Sequence, residues 1–334
     1  MNNLSSQVIL ASGELCPFSG LRPGMKLIGE NNRIFVLESI QRKTKLTYEI
    51  TPWKGEPFLK GENQYIAAET PDGTALFLKA RDYCDRPFQF KEQFALLRAP
   101  IELTTAELPI DPYFLGLLLG DGRFCSDTPC LTTGESKIAQ YIHSYAKRMK
   151  WPVHAYQAPN HSMARALVKA YYFKRPKHGD SLMDHLKTLG LYDRKSSQKF
   201  IPRIYLYADR TQREALLAGI LDSGSYLNSQ TYDLKTSSER LASGVAFLAQ
   251  SVGLGAFQKP WSSAGKEYKR LTIYGNYKRL PLRVQKASAS KIDPLKVAFS
   301  IRAVGPQELH YLRVPSFITG DFFLHKGDFL YDVR

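Results

Sequence analysis

The chain has 334 residues, 43% of them hydrophobic, and a formal net charge of +15. No apolar run approaches the ~18–20 residues of a membrane-spanning helix, and the N-terminal segment has neither the basic nor the long apolar region of a signal peptide. We therefore expect an intracellular protein without a membrane partner, located in the nucleus if its host is a eukaryote. The charge surplus predicts a polyanionic partner, usually nucleic acid, because binding releases counterions. The four cysteines lack zinc-ligand spacing, so no structural metal site is predicted.

The first 105 residues have the pattern of β-structure. Runs such as "MKLIGENNRIFVLESIQ" and "KLTYEITPW" alternate in part and are separated by Gly, Pro and Asn. Residues 295–334 return to β-like runs such as "KVAFSIRAV". A β-rich beginning and end around a middle of mixed helix and strand predicts a discontinuous domain, residues 1–105 plus 295–334, that hosts a second domain at 106–294.

The middle region contains an internal repeat, with halves at about 108–195 and 200–294. Each half opens with a short apolar helix, "FLGLLLGDG" in the first and "LAGILDSGS" in the second. Asp111 followed by Pro112 predicts the start of the first helix, and the capping box from Thr211 to Glu214 predicts the start of the second. Each helix is followed by a β-like stretch, a second amphipathic helix (135–151 and 237–254) and another β-like segment.

Small residues lie four positions apart in both apolar helices. They are Gly116 and Gly120 in the first and Gly219 and Ser223 in the second. Such a face lets two helix backbones approach closely, so the two helices are expected to pack side by side and bring their C-terminal ends together. Asp121 stands at that point in the first half. An acid from each half would form a shared Mg²⁺ site suited to phosphodiester hydrolysis.

These residues carry a family resemblance. "FLGLLLGDG" and "LAGILDSGS" resemble the two LAGLIDADG (dodecapeptide, DOD-type) motifs of homing endonucleases, and the lead-in "LPIDPYFLGLLLGDG" is similar to a block of large inteins. The flanks, with "VILASGE" and "LRPGMKLIG", resemble the two parts of a Hint splicing domain. The resemblance implies an α+β multidomain protein, in which a discontinuous all-β Hint-like domain carries an inserted pseudo-twofold LAGLIDADG endonuclease domain of αββαββα type. It also implies a monomer that binds double-stranded DNA, with Mg²⁺ as the cofactor of any activity that remains.

The same resemblance predicts that protein splicing is lost. The positions of the splicing chemistry fall on Met1, Gly61, Gln64, Asp332 and Val333. A methionine thioether cannot perform the initial acyl shift, and valine has no amide that could cyclise to release the C-terminal side. A Met at the nucleophile position also predicts a free-standing protein, as in the mating-type-switching endonucleases of intein descent.

The endonuclease residues are only partly retained. The metal-binding acid of the motif falls on Asp121 in the first half, but on Gly224 in the second. Lys199 of "KFIP" and Lys286 of "QKAS" match the basic residues that stabilise charge at the phosphate, although ordinary phosphate contact or a solvated surface would explain either lysine. Because even ~3–4 kcal/mol of lost stabilisation slows a reaction 10²–10³-fold, cleavage is predicted to be impaired or lost.

DNA binding is predicted to persist. In this family the β-like stretches after each motif helix form sheets that lie in the major groove. The residues predicted to contact DNA are Arg123, Thr132, Thr133, Lys174, Arg175, Lys177, Tyr226, Asn228, Gln230, Tyr232 and Lys235. Asn228, Gln230 and Tyr232 alternate and are expected on one face of one strand. The cluster Lys174, Arg175 and Lys177 also fits a nuclear-import patch.

Two further functions stay open on the sequence. One is an active or strand-nicking Mg²⁺-dependent endonuclease that uses Asp121 with an acid outside the motif. The other is a domesticated DNA-binding regulator or protein-interaction scaffold. A steep salt dependence of DNA affinity without catalysis would favour the regulator.

Overall fold

The computed structural model describes residues 7–28, 34–53, 57–98, 100–124, 128–158, 168–263, 265–284, 288–313, 322–324 and 331–333. The chain divides into two compact units, one of Met1–Thr104 with Ile292–Arg334 and one of Thr105–Lys291. Both are built from small separate sheets with helices. Among the helices described, none has the length and hydropathy needed to cross a membrane.

Strands and helices follow one another along the chain in a largely antiparallel fold. The strands are β1 (Gln7–Ile9), β2 (Leu15–Pro17), β3 (Lys26–Ile28), β4 (Ile34–Val36), β5 (Ser39–Pro52), β6 (Phe58–Gly61), β7 (Tyr65–Glu69), β8 (Ala75–Lys79), β9 (Ala95–Leu97), β10 (Gly122–Arg123), β11 (Cys130–Thr133), β12 (Val153–Gln157), β13 (Lys169–Phe173), β14 (Ser225–Asn228), β15 (Thr231–Thr236), β16 (Gly255–Ser263), β17 (Lys266–Tyr274), β18 (Lys296–Val297), β19 (Phe299–Arg313), β20 (Phe322–Leu324) and β21 (Tyr331–Val333). The helices are α1 (Ala80–Cys84), α2 (Phe88–Lys91), α3 (Pro112–Asp121), α4 (Ser136–Met149), α5 (Leu182–Thr188), α6 (Arg203–Leu206), α7 (Arg210–Gly224) and α8 (Glu239–Ser251).

The first unit is rich in β-structure, as the composition of its sequence indicates. One sheet has the order β18-β9-β7-β21-β20 with β8 beside β7, a second has the order β19-β5-β6, and β1-β2 and β3-β4 form two small pairs. Tyr48 and Ile50 on β5 and Ile66 on β7 belong to one buried cluster, while Leu27 and Leu37 belong to another. The described residues of this unit therefore form two small apolar cores.

The second unit consists of two halves with the same topology. The first half runs α3-β10-β11-α4-β12-β13, and the second runs α7-β14-β15-α8-β16-β17. Their sheets have the matching orders β10-β11-β13-β12 and β14-β15-β17-β16, and all neighbouring strands are antiparallel. The two halves therefore share one order of helices and strands.

The two apolar helices begin differently. Asp111 caps α3 by accepting a hydrogen bond from Phe114 N at 3.2 Å, with Pro112 in the first turn, as predicted. The predicted start of the second helix at Thr211 is wrong. Asp209 caps α7 instead, because its carboxylate accepts from Gln212 N at 2.8 Å while the Gln212 side chain accepts from Asp209 N at 3.3 Å.

Helices α3 and α7 pack against each other along their small residues. A Cβ atom added to Gly116 would lie 2.9 Å from Gly219 Cα, and one added to Gly219 would lie 2.9 Å from Leu117 N. Real Cβ atoms essentially never come this close, so only glycine fits at both positions. Phe114 and Ile220 are fully buried in the apolar core of this unit. The expected side-by-side pair of helices is confirmed.

Candidate nucleic-acid interface and cleft

A cleft of about 730 Å³ lies where α3 and α7 end. Each helix runs directly into the first strand of its sheet, α3 at Asp121 into β10 and α7 at Gly224 into β14. The ionisable side chains that line the cleft are Asp121, Arg123, Glu135, Lys199, Asp222, Tyr226 and Tyr232. The repeat therefore brings corresponding residues of both halves to one polar depression.

Asp121 lies in this cleft as the sequence predicts. Its side chain is exposed at the surface of the cleft, and the protein atoms packed behind it desolvate the carboxyl group. Desolvation raises the pKa of Asp121 to about 6, and the positive charge of Lys199 opposes this rise. The group therefore titrates near the lower end of the physiological pH range.

The raised pKa predicts a pH-dependent stability. Between about pH 4 and 6 the folded state binds more protons at Asp121 than the unfolded state, so this residue destabilises the fold increasingly as pH rises. Asp121→Asn is therefore expected to be more stable than wild type at pH 7, by at most about 1 kcal/mol once solvent screening is allowed for. Urea unfolding at a series of pH values should show this difference vanish near pH 4. A difference independent of pH would contradict it.

The second half supplies no matching acid at the helix end. Gly224 has no side chain, and the hydroxyls of Ser223 and Ser225 donate to the carbonyls of Gly219 at 2.9 Å and Leu221 at 2.6 Å. Within the part of the chain that the structure describes, no group of three or more His, Cys, Asp and Glu side chains is arranged to hold a metal ion. The donors present do not fit a metal shared between two carboxylates, so we derive no catalytic step through one.

Asp222 is not a substitute for the missing acid. Its Oδ2 accepts hydrogen bonds from Tyr113 Oη and Arg283 N, both at 2.7 Å, and its Oδ1 accepts from Val284 N at 3.3 Å. Desolvation raises the pKa of Asp222, and these hydrogen bonds oppose the rise. Both oxygens thus serve the internal structure.

Lys199 is buried beside the first motif, with 4% of its surface exposed. Its Nζ donates to the carbonyls of Leu118 at 3.1 Å, Leu119 at 2.9 Å and Gly120 at 3.3 Å. Interpreting Lys199 as a solvated surface residue is wrong, because its ammonium caps the C-terminal carbonyls of α3, where a positive charge also complements the helix dipole. Its catalytic role stays a prediction, and Lys286 lies outside the described residues.

Removal of this ammonium should destabilise the fold. Lys199→Met keeps most of the side-chain volume but leaves two buried carbonyls and one partly buried carbonyl without this donor. We expect a loss of about 1–3 kcal/mol in the free energy of unfolding, measured by urea denaturation. The exposed Lys278→Met is the matched control, expected within about 0.5 kcal/mol of wild type. Equal stabilities of the two variants would contradict the capping role.

The outer face of the second sheet is basic and aromatic. Lys235, Arg270 and Lys259 lie opposite one another on three neighbouring strands. Lys235 Nζ lies 4.0 Å from the centre of the Trp261 ring and 5.1 Å from that of Tyr226. Cation–π contacts of this kind hold the lysine in place. Lys235 and Tyr226 were predicted, whereas the others were missed because only strand register places them on this face.

A buried carboxylate orders this face further. Asp233 contacts Arg270 at 2.6 Å and Thr272 at 2.5 Å, and Asn228 lies 3.4 Å away. Burial tends to raise the pKa of Asp233, but these hydrogen bonds bring it below its ordinary value. The aspartate is therefore ionised at neutral pH and fixes the Arg270 guanidinium at the surface of the sheet.

The predicted alternation of Asn228, Gln230 and Tyr232 on one strand is wrong. Asn228 ends β14, Gln230 belongs to a two-residue turn with Ser229, and Tyr232 is on β15. Ser229 has φ of 56°, in the left-handed region that such a tight hairpin needs. Tyr232 is 3% exposed and its ring packs edge-on against Tyr277 at 5.0 Å, so it is a core residue.

In the first sheet, only two of the three residues predicted to contact DNA share one face. Arg123 pairs with Cys130 on β11, so Arg123 and Thr132 share one face, on which Tyr156 and Tyr172 pack edge-on at 5.7 Å. Thr133 has the opposite orientation, because successive side chains of a strand alternate, and its hydroxyl accepts from the backbone N of Glu135.

The basic cluster after β13 is exposed and does not belong to the sheet. Lys174, Arg175 and Lys177 all lie beyond the last residue of that strand. Arg175 donates to Asp184 at 2.8 Å, and hydrogen bonds from Ser181 and Arg175 hold the pKa of Asp184 below its ordinary range. The two lysines remain available for phosphate contact.

The predicted splicing positions lie in the first unit. Gly61 and Gln64 bracket a turn in which Gly61 N donates to Gln64 Oε1 at 2.7 Å. In β21, Val333 pairs with Tyr65 and Asp332 with Ile66, so the chain brings Val333 next to this turn. Met1 lies outside the described residues. Gly61 and Gln64, at the positions where the resemblance predicts an assisting threonine and histidine, offer neither a hydroxyl nor an imidazole.

One of two comparisons with known proteins gives a residue range, which lies within the second unit. A family model described as homing endonuclease matches residues 201–274, which include α7, α8 and the second sheet. A solved structure from work on mesophilic variants of the homing endonuclease I-DmoI is similar at 11% sequence identity, with 49% of this chain and 87% of that chain covered and a TM-score of 0.35. Residues 201–274 are thus similar to a homing endonuclease family model.

Proposed function

We propose that this chain is an intein-derived LAGLIDADG protein that binds a long specific site on double-stranded DNA and has lost efficient double-strand cleavage. The observation that carries the proposal is the cleft at the ends of α3 and α7, where two halves of the same topology supply a single acid at the last residue of the helices. The family match to residues 201–274 supports the nuclease ancestry. The net charge of +15 supports a nucleic-acid partner.

DNA would lie along the outer faces of the two sheets. The row of Lys235, Arg270 and Lys259 would contact backbone phosphates, while Asn228 and Thr272 on the same face would read base edges. Trp261 and Asp233 hold two of these cations in position before DNA arrives. A rigid surface of this kind lowers the entropic cost of binding.

Loss of cleavage would follow from the donor set of the cleft. Asp121 is the acid at the end of α3, whereas α7 ends in Gly224, and the ammonium of Lys199 is bonded to helix carbonyls. For the first unit, Gly61 and Gln64 at the predicted splicing turn support the part of the proposal that protein splicing is lost, since neither carries a hydroxyl or an imidazole.

Selection of bound duplexes from a random library tests the binding. The proposal predicts enrichment of one long sequence, whose affinity falls steeply with salt because several phosphates are contacted. The triple variant Lys235→Gln, Lys259→Gln and Arg270→Gln should reduce the salt slope by about 3. Binding without sequence preference would favour a general scaffold, and no duplex binding would overturn the proposal.

A second candidate function is that of a strand-nicking enzyme, because the cleft contains a further acid. Glu135 lines the same cleft as Asp121 and would supply an acid outside the motif. Under this alternative, Asp121→Asn and Glu135→Gln should each abolish nicking of a plasmid that carries the selected site. The primary proposal predicts that the wild-type protein itself does not nick the selected site, so neither variant would differ from it.

A further inference from the structure

The segment that follows the second sheet is fixed to the end of α7. The carboxylate of Asp222 accepts the backbone N–H of Arg283 at 2.7 Å and that of Val284 at 3.3 Å. The same carboxylate accepts the hydroxyl of Tyr113 at 2.7 Å, which links it to the first half. The backbone at residues 283 and 284 is therefore held by an acid that the predicted nuclease chemistry does not use.

The side chain of Arg283 is held as firmly as its backbone. Its guanidinium lies 4.3 Å from the ring centre of Tyr141 and 4.8 Å from that of Tyr113. Tyr141 in turn donates to Asp111 at 2.6 Å. Within the described chain, the Arg283 guanidinium itself donates no hydrogen bond, so its donors face solvent from a fixed position.

A groove of about 660 Å³ opens beside this arginine. Its other lining residues include Lys137, Gln140 and Ser144 of α4 together with Leu282 and Val284. Among the described residues, two cations and no carboxylate line it. Asp111 and Asp222, which contact the two tyrosines beside Arg283, are hydrogen-bonded to Tyr141 and to the backbone. Val284 lines both this groove and the cleft of Asp121, so the two depressions adjoin.

We propose that this groove binds a phosphate group through Arg283 and Lys137, with Asp222 as the residue that positions Arg283. A planar guanidinium with free donors matches phosphate oxygens. Because its contacts with two tyrosines already restrict the arginine side chain, that side chain loses less conformational entropy when phosphate binds. With the proposed DNA-binding function, the ligand is a backbone phosphate outside the sheet surfaces. Free phosphate is the other source of the same chemistry.

The site belongs to one half alone. The position of Asp222 in the second motif corresponds to Leu119 in the first, and Leu119 is buried with 1% of its surface exposed. Leucine cannot accept a backbone N–H, so the first half has no equivalent clamp at this position. The proposed phosphate contact therefore makes the interface asymmetric.

The variant Asp222→Asn separates a positioning role from simple removal of charge, because the two predict opposite changes in duplex affinity. Coulomb attraction alone predicts that Asp222→Asn tightens duplex binding, because one negative charge is removed. The proposal predicts binding weakened at least threefold, because Arg283 loses its clamp. The exposed Asp180→Asn is the matched control, expected to bind like wild type or slightly more tightly. Tighter binding by Asp222→Asn in a variant with native circular dichroism would overturn the positioning role.

Arg283 variants test the contact directly. Arg283→Ala should lower duplex affinity about tenfold and reduce the slope of log affinity against log salt by about 1. Arg283→Lys should restore the slope but only part of the affinity, since it lacks the planar fork. If the wild-type protein binds duplex DNA and Arg283→Ala shows the same slope of log affinity against log salt, the inference is overturned while the proposed function stands.

Binding of inorganic phosphate tests this site independently of DNA binding. Titration of the full chain with phosphate, against chloride at equal ionic strength, should give a saturable NMR shift of the Arg283 Nε–H that Lys137→Ala weakens. If wild type bound no duplex, a saturable shift would still support the site, with free phosphate as its ligand. No saturable shift together with no duplex binding would refute both proposals.

Discussion

Gly219→Ala is expected to destabilise the second unit by at least about 3 kcal/mol, because an added Cβ would overlap the backbone of α3. The new methyl would fall on the carbonyl oxygen of Tyr113 and lie 2.9 Å from Leu117 N. Neither atom is the end of a flexible side chain, so the helices must separate. Urea unfolding followed by circular dichroism measures the loss.

The matched control is another helical glycine. A Cβ on Gly244 in α8 would lie 3.1 Å from the tip of the Ile201 side chain, which would need to shift by only a few tenths of an ångström. Gly244→Ala should therefore be neutral or stabilising, since alanine favours a helix by up to about 1 kcal/mol over glycine. If Gly219→Ala matched Gly244→Ala in stability, close packing of α3 against α7 would be refuted.

Gly224→Asp, which restores the acid of the second motif, is expected to destabilise the protein by at least about 2 kcal/mol and to produce no double-strand cleavage. A Cβ at this position would lie 2.9 Å from Gly120 Cα and 3.3 Å from Leu234 Cδ1. The ends of α3 and α7 therefore lie too close together for a side chain at position 224.

Two further variants separate the steric effect from the added charge. Gly224→Ala should lose nearly as much stability as Gly224→Asp, because both add the same Cβ. Ser225→Asp places an acid one residue later, where a side chain already exists, and should fold like wild type apart from the lost hydrogen bond to Leu221. A stable Gly224→Asp protein that cuts both strands would show that only the carboxylate was missing.

Local signals made the second unit predictable. Small residues four apart, from Gly116 to Gly120 and from Gly219 to Ser223, anticipated both helices and their packing. The cap of α7 was misplaced because Asp209 with Gln212 competes with the equally good sequence from Thr211 to Glu214. Two capping boxes so close together cannot be ranked without knowing which residues the fold buries.

Residues of the site were harder to predict when their environment depends on distant contacts. Lys199 was found as a motif residue, but its burial against α3 arises from a contact about 80 positions away. Alternation along one strand predicts Tyr232 at the surface. The turn at Ser229 reverses the chain, so Tyr232 lies on the next strand with its side chain in the core. Arg283 carried no sequence signal, since its environment depends on Asp222 and two tyrosines of the other half.

Topological analysis of a supercoiled plasmid that carries the selected binding site tests the account most directly. Wild-type protein would be incubated with the plasmid and Mg²⁺ or Mn²⁺, while footprinting on the same DNA confirms that the site is occupied. The one-acid cleft predicts full occupancy with the plasmid still supercoiled. Linear product from the occupied site, lost in Asp121→Asn, would contradict it.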